Sequence, residues 1–347
     1  MRSKALAVLA VLALSALCGA TAFAQGEGQG QGQGGGQGRG GGQNRGRQTA
    51  PPPTDKVTPE IKGVVPAGTK IEVVKFGLQG ADGAVGMPDG SILVATNGGV
   101  AKIDVDGNLT QLVENNQAAG LALDSKGRII AAQYAGKVAV VYPPEEAKVL
   151  ADSYQGKPFI RPNDLVVDKK GGIYFTDCYQ AGAKPKPGDL PQAVYYITPA
   201  GKVTQVATDI SRPNGITLSP DEKTLYVNDW NGSYLVTYDV QADGMLKNRK
   251  NFGKFDTAQD SEDGGPKVSG ADGLCIDAEK HTYSTTPAGL QVFSAKGEHL
   301  ANIDIPLDLP SQNCGFAGPD KHYLYVVGRG VVFRIHTIPA GYTGRAK

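Results

Sequence analysis

The sequence predicts an all-β chain folded as a six-bladed β-propeller. Almost nothing beyond its first few dozen residues has helical periodicity; short runs of Val, Ile, Leu, Tyr and Phe alternate with turn residues instead. One unit also recurs six times: a small or polar anchor, usually followed by Gly, an apolar strand, a turn rich in Pro, Asp and Gly, and a second apolar strand. The anchors are spaced 37, 44, 51, 58 and 41 residues apart, the room that a four-stranded blade of about 40 to 50 residues needs.

The first copy is Asp82-Gly83-Ala84-Val85, then Pro88-Asp89-Gly90, then Ile92 to Ala95. Ala119-Gly120-Leu121 leads through Gly127 to Ile129-Ile130, and Asn163-Asp164-Leu165 through Gly171-Gly172 to Ile173-Tyr174-Phe175. The fourth copy runs from Asn214-Gly215-Ile216 through Pro220-Asp221 to Leu225-Tyr226-Val227. Asp272-Gly273-Leu274-Cys275 opens the fifth, with Tyr283 in its second strand. The sixth runs from Asn313-Cys314-Gly315-Phe316 through Pro319-Asp320 to Leu324-Tyr325-Val326. In the first three copies a glycine falls eight residues after the anchor, so the hairpin register is constant. The stretch Lys70 to Phe76 precedes the first anchor and is expected to complete the last blade, closing the ring without open edges.

The N-terminus has the parts of a secretory signal: Arg2 and Lys4, an apolar run from Ala5 to Leu17, and a small-x-small site at Ala22-Phe23-Ala24. That run is shorter than the ~20 residues that span a bilayer. Cleavage after Ala24 is expected ahead of lipidation at Cys18, because Leu17 is bulky for a lipid-attachment signal. The chain is thus expected to be exported, to the periplasm or beyond. Residues 25–54, almost wholly Gly, Gln, Arg and Pro, read as a disordered tether with nothing to bury, and residues 55–347 as the propeller. A formal net charge of +1 leaves no electrostatic footprint for nucleic acid. No second apolar run could cross a membrane as a helix. Cys178, Cys275 and Cys314, without a CxxC pair, are expected to be buried free thiols.

In a propeller the first strand of each blade lines the central channel, so the anchors converge there. Five of the six are Asn or Asp: Asp82, Asn163, Asn214, Asp272 and Asn313, with Ala119 as the exception. A single Asn or Asp before Gly is an ordinary turn residue; five at one phase of a repeat offer a ring of hard oxygens. Such a set suits Ca²⁺, Mg²⁺ or Mn²⁺, while Zn²⁺ would usually recruit His or Cys. The four histidines, at 281, 299, 322 and 336, avoid the anchors and are expected to be surface or structural residues. Their scarcity, and the lack of a G-x-S-x-G elbow, argue against a Ser-His-Asp hydrolase.

At these anchors the chain resembles the gluconolactonase family, which includes regucalcin, over roughly residues 70–335. The resemblance rests on Arg161-Pro162-Asn163-Asp164 with Tyr174 to Asp177, on Arg212-Pro213-Asn214-Gly215 with Leu225 to Val227, and on Asp272 to Asp277. It rests also on Asn313 to Phe316 with Pro319-Asp320 and Leu324 to Val326. It implies a six-bladed propeller with one divalent cation in the channel, Ca²⁺ first, with Mg²⁺, Mn²⁺ and Zn²⁺ as alternatives. It further implies that Asn214 and Asp272 are metal ligands, that Asn163 lies beside the metal and binds it directly or through substrate, and that Arg161 holds substrate oxygens. The family's remaining ligand is a Glu in a Glu-Gly-Pro segment; here Asp82-Gly83-Ala84 stands in its place. Asp is one methylene shorter but keeps the charge, so Asp82 stays in the expected ligand set.

The expected activity is metal-dependent hydrolysis of a cyclic ester, a sugar lactone, with Asp272 as base and Asn163 and Arg161 orienting substrate. Two other readings stand beside it: a non-catalytic secreted binding module, and a related propeller esterase or phosphotriesterase. The irregular stretches 180–192 and 256–269 are expected to be surface loops.

Overall fold

A computed structural model describes residues 48–256 and 267–344. The expected signal segment, and the tether as far as residue 47, lie outside the described residues. Among the described residues the only helix is a single 3₁₀ turn, Pro144–Glu146, and everything else regular is strand. Six four-stranded antiparallel sheets form the six blades of a β-propeller, with one small extra hairpin pairing Ser153–Tyr154 with Lys157–Pro158.

In chain order the inner strands are Asp82–Gly86, Ala118–Leu123, Pro162–Val167, Pro213–Leu218, Leu274–Ile276 and Asn313–Ala317. Each packs against the inner strands of the blades before and after it, and blade 6 meets blade 1. All six are buried at every residue, whereas outermost strands such as Leu109–Glu114 and Leu246–Lys254 are largely exposed. This gradient explains why the inner strands read as short apolar runs behind their polar anchors and the outer ones hardly register. Blade 6 is completed by Glu72–Phe76, which pairs with Val331–His336 in a register that opposes Glu72 to Arg334.

The apolar core is divided among the seams between blades. One cluster around Phe175, Tyr195 and Val140 joins blades 2 and 3; another around Tyr283, Phe316 and Phe333 joins blades 5 and 6. Each large side chain buried there contributes about 1.5–3 kcal/mol. The glycine after the anchor belongs to the same packing. A methyl group on Gly215 would overlap the Asp272 carbonyl oxygen, and one on Gly120 would overlap Asp164 of the next blade. Adjacent inner strands therefore approach backbone to backbone around the channel.

The hairpin turns repeat more faithfully than their residues. Gly90, Gly127 and Gly171 take left-handed φ values of 85°, 75° and 85°, and Glu222, Lys280 and Lys321 occupy the matching turns of blades 4 to 6 at 57°, 70° and 57°. The three cysteines among the described residues, Cys178, Cys275 and Cys314, are buried and unbridged. The sulfurs of Cys275 and Cys314, on the inner strands of blades 5 and 6, lie 2.9 Å apart.

Candidate active site

The anchors sit where the inner strands begin, at one mouth of the channel. Asn163, Asn214 and Asp272 line one small cavity together with Arg161, Arg212 and Trp230. Asp82 lines the adjoining cavity, about 190 Å³, with Thr96, Asn97, Gln117 and Tyr134; Gln312 and Arg329 belong to both. Three of the four expected metal ligands thus share one space with the expected substrate residue Arg161, and Asp82 faces the next.

Hydrogen bonding explains how each side chain is set. The Asp272 carbonyl accepts from the Gly215 N–H at 3.0 Å and from Asn228 Nδ2 at 2.8 Å, and the Asp272 N–H donates to the Thr285 carbonyl at 2.8 Å. With its backbone pinned on both sides, half-buried Asp272 turns its carboxylate into the cavity. Asp82, 9% exposed, accepts from the Gly83 N–H at 2.9 Å and over longer distances from Tyr134 (3.3 Å), Gln312 (3.4 Å) and Asn313 (3.3 Å). Asn313 spends its other amide atom on the Cys314 N–H, so it positions Asp82 and lines neither cavity. Ala119 contributes no polar atom, and Gln117 from the preceding loop does reach the wider cavity.

Two buried carboxylates hold the strand entries of blades 3 and 4. Asp177 accepts the backbone N–H groups of Ile160 (2.9 Å) and Arg161 (2.6 Å); Asp229 accepts those of Ser211 (3.2 Å) and Arg212 (3.0 Å). Both close the second strand of their blade, opposite Pro162 and Pro213. Burial raises the Asp177 carboxyl to about 6, against the pull of those N–H donors and of the Arg161 charge. Above them the guanidinium of Arg161 lies 3.3 Å from the Tyr134 ring centre and that of Arg212 lies 4.7 Å from the Trp230 ring centre.

The histidines stay out of both cavities. His281 bonds Asp277 at 2.8 Å, which raises its pKa, His299 bonds Asn302, and His322 contacts the Thr337 carbonyl. Tyr134, Arg212, Trp230, Gln312 and Arg329 are site residues that the anchor pattern does not reveal. Only Arg212 carried a signal, because Arg-Pro-Asn occurs at both 161–163 and 212–214. Of the two irregular stretches, Gln180 and Ala181 line the small cavity, and residues 257–266 lie outside the described residues.

The arrangement fits a hard cation in one respect that can be tested on its donors. No three His, Cys, Asp or Glu side chains gather among the described residues, so a cation here must draw on amide oxygens as well as carboxylates. Asn163, Asn214 and Asp272 offer that mixture in one cavity, with no sulfur or imidazole beside them.

The family model described as the SMP-30/Gluconolactonase/LRE-like region matches residues 96–329. The chain belongs to this family. It is 26% identical to a gluconolactonase of Zymomonas mobilis over 313 residues, covering 81% of this chain and 85% of the relative. A lactonase, drp35, of Staphylococcus aureus is 34% identical over 147 residues, 42% of either chain. Among solved structures, a gluconolactonase from Xanthomonas campestris superposes with a TM-score of 0.69 at 24% identity, over 84% of this chain and 97% of that one. A calcium-binding regucalcin from Agrobacterium tumefaciens gives 0.62 at 21% identity, over 78% and 94%. At these identities the structures speak for the fold, and the family's six-bladed ring is the one described above.

Proposed function

We propose that this family member hydrolyses a lactone, that the substrate is a sugar lactone, and that the reaction depends on a divalent cation, Ca²⁺ first. The observation that carries the reading is the meeting of Asn163, Asn214 and Asp272 with Arg161 in one buried cavity at the channel mouth. The gluconolactonase and lactonase relatives support the substrate class.

A cation held by the oxygens of Asn163, Asn214 and Asp272, with Asp82 on the adjoining wall, would supply Lewis-acid stabilisation of the charge that builds on the lactone carbonyl oxygen. Asp272 takes a proton from the attacking water as the water oxygen bonds to the carbonyl carbon. The bond from that carbon to the ring oxygen then breaks. The ring oxygen leaves as a hydroxyl, taking up the proton, and the product is the open-chain hydroxy acid. Arg161 and Asn163 donate to sugar oxygens and fix the ring over the base. Burial of the site removes competing water and strengthens each of these contacts.

The test is acid release from D-glucono-1,5-lactone by chelator-stripped protein, with Ca²⁺, Mg²⁺, Mn²⁺ or Zn²⁺ added back in turn. Turnover restored by one of them, and lost in Asp272→Ala, is the expected result. Tight cation binding with no turnover of any lactone would replace this reading with that of a binding module. Export is part of the proposal, on the strength of residues 1–24 alone; fractionation of cells, with N-terminal sequencing of the exported chain, would show a start at Gln25 if it holds.

A further inference from the structure

Arg161 and Arg212 are one device built twice. Each stands two residues before an anchor asparagine, each has its backbone N–H fixed by a buried carboxylate, and each lays its guanidinium on an aromatic ring. Both line the cavity that holds Asp272. Neither forms a salt bridge among the described residues. Arg212 is only 7% exposed, and its Nε finds no hydrogen-bond acceptor among the described residues. The two side chains also converge electrostatically. Burial raises the pKa of the Cys178 thiol, and the charges of Arg212 and Arg161 both oppose that rise.

A guanidinium taken out of water with an N–H left unpartnered is costly. Stacking on Trp230 offsets part of that cost, but an aromatic face satisfies no N–H. Neutral sugar hydroxyls could accept such hydrogen bonds one at a time, without matching the fork. A planar fork of donors is best matched by the paired oxygens of a carboxylate or phosphate. Resting on the lactonase reading, we infer that Arg212, together with Arg161, forms a clamp for an oxyanion substituent, so that the preferred substrate is a lactone carrying a carboxylate or a phosphate group. Arg212 is then a specificity-determining residue, and Trp230 and Asp229 are the parts that hold it in place.

The experiment compares three lactones on the metal-loaded protein: neutral D-glucono-1,5-lactone, D-glucaro-1,4-lactone with its carboxylate, and 6-phospho-D-glucono-1,5-lactone. The native chain should favour one of the two anionic lactones by at least tenfold in kcat/KM, and the one favoured identifies the oxyanion. Arg212→Gln should lower that value at least thirtyfold and the gluconolactone value only several-fold, so that the preference collapses. An equal fall on all three lactones, or no preference in the native chain, would overturn the clamp while leaving the lactonase reading intact. Should no lactone be turned over, that reading fails, and binding decides the clamp. D-glucarate or inorganic phosphate should bind at least tenfold more weakly to Arg212→Gln by calorimetry, and equal affinities would overturn it. Arg212→Met supplies a readout that a merely structural arginine would reverse. Without anion its Tm should match or exceed the native value, and glucarate or phosphate should raise the Tm of the native chain alone. A lower Tm in Arg212→Met, with the same anion response, would count against the clamp.

Discussion

Blades 3 and 4 differ from blades 1 and 2 at the channel mouth, although all four share the same strands and the same hairpin. In blades 3 and 4 the second strand ends in Asp177 or Asp229, which draws two backbone N–H groups inward and sets an arginine and an asparagine against the axis. At the matching place blade 2 has Gln133, opposite Ala118, which makes a single neutral hydrogen bond to the Asn116 carbonyl. Blade 1 has Thr96, bonded to the Gly99 carbonyl across its own hairpin. The first pair builds a tight, charged half of the mouth, and the second leaves an open half lined by Asn97, Gln117 and Tyr134. The scaffold thus repeats while, in blades 3 and 4, one residue at a strand end sets an arginine and an asparagine against the axis.

The largest effect should separate the two carboxylates. Asp272→Asn, in the tight half, should lower kcat for a hydrolysed lactone by about 10³-fold, within the range for loss of a general base. Asp82→Asn, in the adjoining cavity, should cost about tenfold by the same steady-state assay, an effect on the scale of one hydrogen bond to a charged group. Equal losses would abolish the distinction between the halves. Next come the strand ends. Asp229→Ala strips a charged acceptor from two N–H groups and should destabilise by about 3 kcal/mol, whereas Gln133→Ala should cost about 1 kcal/mol, both read by urea unfolding. Should Gln133→Ala cost as much, the asymmetry lies elsewhere.

A pH-dependent effect sharpens the role of Asp177, whose carboxyl burial lifts to about 6. Its unfolded value is about 3.9, so the folded chain binds this proton more tightly. The contribution of Asp177 to stability is therefore largest below about pH 4 and declines as pH rises through about 6. Relative to Asp177→Asn, the native chain should lose about 2–3 kcal/mol between pH 4 and pH 7. Unfolding curves that run parallel across that range would show that Asp177 does not titrate there.

The ring was legible in the sequence because inner strands are buried on both faces and must be apolar in every blade. Phase and closure followed from the anchors and from the strand ending at Phe76. The turns were half legible. Glycine marks the left-handed position in blades 1 to 3, but Glu222, Lys280 and Lys321 adopt it without any compositional signal, since the turn's hydrogen bonds impose the conformation on them. In the site, the residues on the repeat phase could be read: Asp82, Asn163, Asn214 and Asp272. Tyr134 and Gln312 sit beside strand ends at repeat positions whose residue type varies from blade to blade, so the anchor pattern does not mark them. Asp177 and Asp229 look like ordinary strand ends until their partners across the blade are seen. Arg212 shows a different limit. Its motif was visible, but its buried, unpartnered Nε is a property of three-dimensional packing alone.

The pairing of Glu72–Phe76 with Val331–His336 sets a timetable for assembly. Each of the other five blades draws its strands from one continuous stretch and can form from that stretch alone. The sixth cannot be finished until residue 336 has been made, and its outer edge has by then been waiting since residue 76. Until that moment the growing chain is an arc with two raw ends. The channel mouth, which needs Asn163, Asn214, Asp272 and Gln312 around one axis, is therefore assembled only as synthesis nears its end.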